Sequence, residues 1–163
     1  MAIINGDVSA HVNEAFPNEL VVSEWGYGYF RVEKEFIFRD EEKNLEVTVP
    51  VGFITNFYSV PWYVREFVPK VLNSNGPAVV HDYLYSRKLT DEERLQADHV
   101  LLRAMELHPV PVRHWRRMAI FNAVRSFGGF CTGEENIFTP WSNNLKPNEW
   151  PLHNIIPENE EAT

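Results

Sequence analysis

The apolar positions of this chain recur with two periods, one for each half. From Leu20 to Val22 there is a short apolar run, and from Tyr29 to Phe38 the residues Phe30, Val32, Phe36 and Phe38 alternate imperfectly with polar ones. Leu45, Val47 and Val49 then alternate with Glu46 and Thr48 across a polar turn, Glu41-Glu42-Lys43-Asn44. Period-two alternation on both sides of a turn predicts a half-buried β-hairpin, which Pro50 and Gly52 close. From Val51 to Gly76 the chain is aromatic-rich and interrupted by Pro61 and Pro69, with a short helix expected at Ser59-Val60-Pro61-Trp62. Asn73-Ser74-Asn75-Gly76 reads as a loop.

The second half has helical spacing. Pro77 opens a helix carrying Ala78 to Tyr85. Thr90 followed by Glu93 is a capping box, and Asp91 and Glu92 complement the positive end of the helix it starts. That helix is expected to run to about Leu107 and stop before Pro109. A third is expected from about Val112 to Phe127, ended by Gly128-Gly129, with Trp115, Met118, Phe121 and Val124 on its core face. The expectation is an α+β fold: an N-terminal antiparallel sheet, about three packed helices and an extended C-terminal tail. The domain reading is an arm over 1–19, one domain over 20–130, and a Pro/Asn/Glu-rich tail over 131–163. Phe16, Trp141 and Trp150 then lie on extended arms suited to docking on neighbouring subunits.

Composition narrows the function classes. The 163 residues are 44% hydrophobic and 13% aromatic, enough for one real core. A formal charge of −8 disfavours a nucleic-acid partner, and the short basic cluster Arg113-His114-Trp115-Arg116-Arg117 does not reverse it. Cys131 is alone, so no intrachain disulfide framework forms. A basic n-region is missing from the first residues, so a signal peptide is not expected, and no apolar run is long enough to predict a transmembrane segment.

One constellation can carry chemistry. His81 and Tyr85 are four residues apart and share a helix face, with Asp82 turned about 100° away. On the next helix Asp98 shares a stripe with Leu95, Leu102 and Met105, an acid set in an apolar face, which is costly unless it is paired. A short connection makes the two helices antiparallel neighbours and brings His81 and Tyr85 to Asp98. Asp98 then accepts from one imidazole nitrogen and from the Tyr85 hydroxyl, leaving the other nitrogen as a general base. Asp82, facing elsewhere, is expected to bind a cation or to hold the loop around Asn56 and Gly76. The competing reading is a purely structural hydrogen-bond network, whose buried members are all satisfied. His99, His108, His114 and His153 lack metal-ligand spacing, Ser59 and Ser86 lack a nucleophile elbow, and Cys131 reads as a small packed thiol.

Three ordered stretches carry a resemblance: Val49-Pro50-Val51-Gly52-Phe53-Ile54-Thr55-Asn56-Phe57-Tyr58-Ser59-Val60-Pro61, Ala78-Val79-Val80-His81-Asp82-Tyr83-Leu84-Tyr85, and Ala97-Asp98 through Met105. With Trp115-Arg116-Arg117 and Val124-Arg125-Ser126-Phe127-Gly128-Gly129, the chain resembles the domain of unknown function 1353 family of tailed phages, prophages and some bacteria, over roughly Leu20 to Gly129. The resemblance implies a phage origin and supplies no activity. Its first motif usually reads Thr-Asp-Phe; Asn56 stands here in the Asp place, keeping a carbonyl oxygen for a metal but losing the charge. Locally, His81-Asp82-Tyr83-Leu84-Tyr85 with Asp98 is similar to the His-Asp-x-x-Tyr and distant Asp of phospholipases A2. That likeness implies His81 as base, Asp82 as calcium ligand, and Asp98 with Tyr85 as the orienting pair, although the family's disulfides and a glycine-rich calcium loop are missing.

Two functions are therefore expected in competition. One is a metal-assisted hydrolase of an ester, amide or phosphate bond, with His81, Asp98 and Tyr85 catalytic and a divalent cation, calcium first, on Asp82 and Asn56. The other is a non-catalytic tail or baseplate component with other phage proteins as partners, and a regulator that binds a host protein ranks behind both. Each would act in the host bacterial cytoplasm during infection or within the virion.

Overall fold

The computed structural model describes residues 12–26, 29–57, 75–86, 89–110 and 112–127. Within these, five strands precede three helices in an α+β arrangement: β1 (Val22–Gly26), β2 (Tyr29–Val32), β3 (Phe36–Asp40), β4 (Leu45–Val49), β5 (Ile54–Thr55), α1 (Asn75–Tyr85), α2 (Asp91–Leu107) and α3 (His114–Phe127). All the pairings are antiparallel. One sheet has the order β1-β2-β5, and β3 and β4 form a separate hairpin.

The expected single strand from Tyr29 to Phe38 is thus two strands in two sheets. Phe30, Val32, Phe36 and Phe38 keep the same parity, but position 34 breaks the series with an exposed lysine followed by exposed Glu35. At that break the backbone changes partners. Val32 N–H donates to Phe53 and Glu33 N–H to Val21, each at 2.8 Å, whereas Phe36 pairs with Val49. In the hairpin, Phe36, Phe38, Leu45, Val47 and Val49 are buried as the alternation requires. Asn44 takes φ +48° in the turn, a conformation asparagine tolerates better than most residues.

Phe16 is fully buried, which overturns its placement on an exposed arm. Its ring lies 5.8 Å from Phe36, 5.1 Å from Phe38 and 5.1 Å from His108. The chain before β1 is pinned beside β3: Arg39 N–H donates to Ala15 O at 2.8 Å and Ile37 N–H to Asn18 Oδ1 at 3.0 Å. Asn13 reaches the other way, its amide donating to Leu107 O at 2.8 Å. Segment 12–19, read from composition as part of an arm, therefore packs against both the hairpin and the end of α2.

Helix α1 starts at Asn75, where a loop was expected. A proline in a first turn costs no hydrogen bond, because the first N–H groups have no intrahelical partner in any case. Gly76 is tightly packed: a Cβ there would stand 3.0 Å from the Phe36 ring, which would have to give by a few tenths of an ångström, and 3.5 Å from that of Phe16. Helix α2 begins on the capping box, with Glu93 N–H donating to Thr90 Oγ1 (3.2 Å) and Thr90 N–H to Glu93 Oε2 (2.8 Å). It ends at His108, extended as the residue before a proline tends to be.

Two apolar clusters hold the helices. The larger joins Phe16 and the strands to α1 and one side of α2, through Val79, Val80, Leu84, Ala97, Val100 and Ala104. The smaller joins α2 to α3 through Leu101, Met105, Ile120 and Val124. Tyr85 borders both. Trp115, expected in the core, is 57% exposed; it sits in the first turn of α3, where the Arg116 guanidinium lies 5.1 Å from its ring. No helix among the described residues is long and apolar enough to cross a membrane.

Candidate functional site

Tyr85 follows His81 by one turn of α1, and the two rings lie 4.1 Å apart at 36°. The capping box fixes where α2 begins, and the helical repeat then turns Asp98 toward that pair. His81 Nε2 is 2.9 Å from Asp98 Oδ1, and the Tyr85 hydroxyl donates to the same oxygen at 2.5 Å. The expected trio is therefore assembled, with His81 (1% exposed) and Asp98 (0%) deeply buried and Tyr85 partly buried.

A fourth member comes from α3. Arg125 Nη1 donates to Asp98 Oδ2 at 3.1 Å, so three helices meet on one carboxylate. Arg125 escaped the sequence reading. The available signal was Asp98 itself, since a carboxylate in an apolar stripe calls for a cation. Arg125 was already within the quoted Val124–Gly129 stretch.

The carboxylate sets the chemistry of the imidazole. An ionised Asp98 only accepts, so a neutral His81 meets it with the proton on Nε2. The lone pair is then on Nδ1, and Nδ1 is buried without a hydrogen-bond partner among the described residues. Burial, with the charge and hydrogen bond of Asp98, pushes the Tyr85 phenol well above its ordinary range. Tyr85 therefore stays protonated, and its hydroxyl serves as a fixed donor.

Asp82 points elsewhere, as the helical rotation requires. It accepts from Thr55 Oγ1 at 2.5 Å, and that oxygen in turn accepts from Phe57 N–H at 3.1 Å. Asp82 so ties α1 to the end of β5, one residue before Asn56. Phe57 has φ +57°, a left-handed conformation that is strained for an aromatic residue, and its ring packs 4.8 Å from Phe30. Among the described residues no group of three or more His, Cys, Asp and Glu side chains is gathered to hold a metal ion. Asp82 and Asn56 supply two of the roughly six to eight oxygens that calcium takes. Residues 58–74, which follow them, lie outside the described residues, as does the helix expected at Ser59–Trp62.

The remaining candidates have structural surroundings. The His99 ring packs 4.9 Å from Phe121, and Ser86 Oγ donates to Tyr83 O at 2.6 Å. Cys131, Trp141, Trp150 and His153 lie outside the described residues.

Comparison with known proteins agrees with the motifs. No curated protein and no solved structure matches the chain. A family model described as protein of unknown function (DUF1353) matches residues 30–124, more than half of the 163. The match takes in Asn56, His81, Asp82, Tyr85 and Asp98 and ends one residue before Arg125. With the fold, the ordered motifs and the matched span in agreement, this chain belongs to the DUF1353 family of proteins of unknown function.

Proposed function

We propose that the chain is a hydrolase in which His81 is the general base. The observation that carries this reading is the buried Nδ1, without a partner among the described residues, on a ring whose Nε2 is held by Asp98. A network kept only for stability tends to satisfy its buried polar atoms, whereas among the described residues this one stops one bond short at Nδ1, as Gln96 Oε1 and Arg116 Nε do elsewhere. In the proposed reaction a water O–H donates to Nδ1 while its oxygen attacks a carbonyl or phosphoryl centre. Asp98 then carries the charge of the imidazolium that forms, with Tyr85 and Arg125 holding its orientation. Because His81 is 1% exposed, turnover requires the side chains over Nδ1 to move aside.

A divalent cation, calcium first, on Asp82 and Asn56 extends this reading, and no step is routed through it. It has less support than the base, because Asp82 is already engaged by Thr55. Titration of the ion into wild type and Asp82→Ala, read by calorimetry, tests it. We place the protein in phage infection, in the host cytoplasm or the particle, on the strength of the family resemblance.

The burial of both His81 and Asp98 favours a second reading, a non-catalytic virion or assembly component in which the network only joins helices. The two readings separate in one experiment. Wild type and His81→Gln are assayed on chromogenic carboxyl esters, an anilide and a phosphodiester, with circular dichroism as the control for folding. Gln retains a donor for Asp98 and lacks the base. Hydrolysis by wild type that falls about 10²-fold or more in a folded His81→Gln supports the hydrolase. Equal rates in the two proteins, or no hydrolysis of any of the bonds, turn the assignment to the assembly component.

A further inference from the structure

The outward side of α3 is unlike that of an ordinary surface helix. Trp115, Ala119, Asn122 and Ser126 recur at helical spacing and are all exposed, so the stripe facing solvent carries no charge, where a solvated helix face ordinarily does. At the head of the stripe Trp115 is 57% exposed, with Arg113, His114, Arg116 and Arg117 beside it in the chain. These arginines are poorly balanced. Among the described residues no carboxylate pairs with Arg113, and Arg116 lies against the Trp115 ring with its Nε buried and without a hydrogen-bond partner. Arg117 comes within 3.9 Å of Glu106, a carboxylate that Arg103 already holds at 3.0 Å. The other exposed tryptophan is different: Trp25 also lies against an arginine, but that arginine, Arg31, is spent on Glu33.

Negative charge to match them is concentrated in the sequence after α3. Residues 128–163, outside the described residues, hold six glutamates against one lysine, Lys146, in a chain of formal charge −8. We propose that this segment docks on α3 of its own chain, running back along the uncharged stripe and setting Glu134 and Glu135 against Arg113 and Arg116 beside Trp115. The length of chain fits. Trp115 lies twelve residues before Phe127, which is about 18 Å along a helix axis. An extended chain covers that in about six residues at roughly 3.3 Å each. Glu134 and Glu135 are the seventh and eighth residues after Phe127, so they arrive level with the arginines. Gly128-Gly129 stand where the chain must reverse, and glycine accepts the left-handed backbone of a turn that ends a helix. Ala119, Asn122 and Ser126 are small enough to let a backbone lie close. Arg125 is turned inward to Asp98, so the docked segment leaves the network at His81 untouched, and the inference is independent of the hydrolase reading.

Cross-linking of the full chain tests this. A water-soluble carbodiimide joins an ammonium to a carboxylate in contact with it, and Arg113→Lys places an ammonium on the patch while keeping the charge. Mass spectrometry is expected to find the introduced lysine joined to Glu134 or Glu135, in a product with the mass of one chain and a yield independent of protein concentration. Adding Trp115→Ala is expected to lower that yield about fivefold, the scale of one lost aromatic contact. Arg116→Lys serves if Arg113→Lys does not fold, with circular dichroism as the control. Links only between two chains, rising with concentration, make a second copy the occupant and overturn the proposal. Links spread evenly over Glu149, Glu158, Glu160 and Glu161 show attraction without a docked register and also overturn it. In a folded variant, links to Glu106 alone or none at all do the same, and leave the patch to a separate acidic protein or to nucleic acid.

Discussion

The molecule buries two aspartates against arginines, and they are built differently. Asp40, 1% exposed at the end of β3, is gripped by Arg103 of α2 through both oxygens, Nε to Oδ2 at 2.7 Å and Nη2 to Oδ1 at 3.1 Å. Arg103 also reaches Glu42 at 2.9 Å and Glu106 at 3.0 Å. Every polar atom there has a partner, and the result is a clamp between hairpin and helix. At Asp98 the arginine takes one oxygen, the other oxygen is shared between a histidine and a tyrosine, and one histidine nitrogen has no partner among the described residues. Burial of an ion pair therefore does not by itself mark a functional site in this protein. The unspent hydrogen-bonding capacity at His81 distinguishes the second pair from the first.

The largest effect is expected from breaking the clamp. Arg103→Met strands Asp40 in the interior and should cost about 3 kcal/mol in urea unfolding, the low end for a broken buried pair because Arg103 is itself 21% exposed. Arg125→Met should cost less, about 1.5 kcal/mol, since Asp98 keeps two other donors. If the two costs were equal, the distinction between clamp and site would fail on energetic grounds. His81→Gln should cost within about 1 kcal/mol, because the donor to Asp98 is retained; a far larger loss would make the imidazole a structural member.

The smallest effect is confined to acid. Burial alone would raise the Asp40 carboxyl, but the hydrogen bond and charge of Arg103, with backbone N–H groups of Lys43 and Glu42, hold it below the usual range. The fold thus favours the ionised form. That stabilisation is complete well above the unfolded carboxyl's ordinary value of roughly 3.9, and it is lost as pH falls below that value and through the folded one. Asp40→Asn should therefore flatten the fall of Tm with pH in that acid window. An unchanged acid limb would show that other carboxylates dominate it.

Much of this was legible in the sequence where the determinants are local. Thr90 and Glu93 fix a helix start through two hydrogen bonds three residues apart, and the i,i+4 spacing of His81 and Tyr85 fixes a shared face. The antiparallel packing of neighbouring helices then brought Asp98 to them. What escaped depends on contacts distant in sequence. Arg125 meets Asp98 only once α3 has docked on α2, and no period announces that crossing. Phe16 precedes the first strand in polar surroundings, and its burial follows from a hairpin that forms later in the chain. Phe30, Val32, Phe36 and Phe38 share one parity, so alternation alone did not reveal the change of sheet; the cue was exposed Lys34 in an inward position. The helical rotation left Asp82 either a cation or the loop around Asn56 and Gly76 to hold, and the partner it meets, Thr55, lies one residue before Asn56.

The central claim is that His81 offers a bare Nδ1 while Asp98 holds its Nε2 proton. Long-range ¹H–¹⁵N NMR of the wild-type chain at neutral pH, with His81 assigned through His81→Gln, measures that state directly. The account predicts one neutral tautomer, protonated at Nε2 and unprotonated at Nδ1. A proton on Nδ1, in the other tautomer or in the imidazolium, would contradict it and would leave the His81–Asp98 contact as a joint between helices.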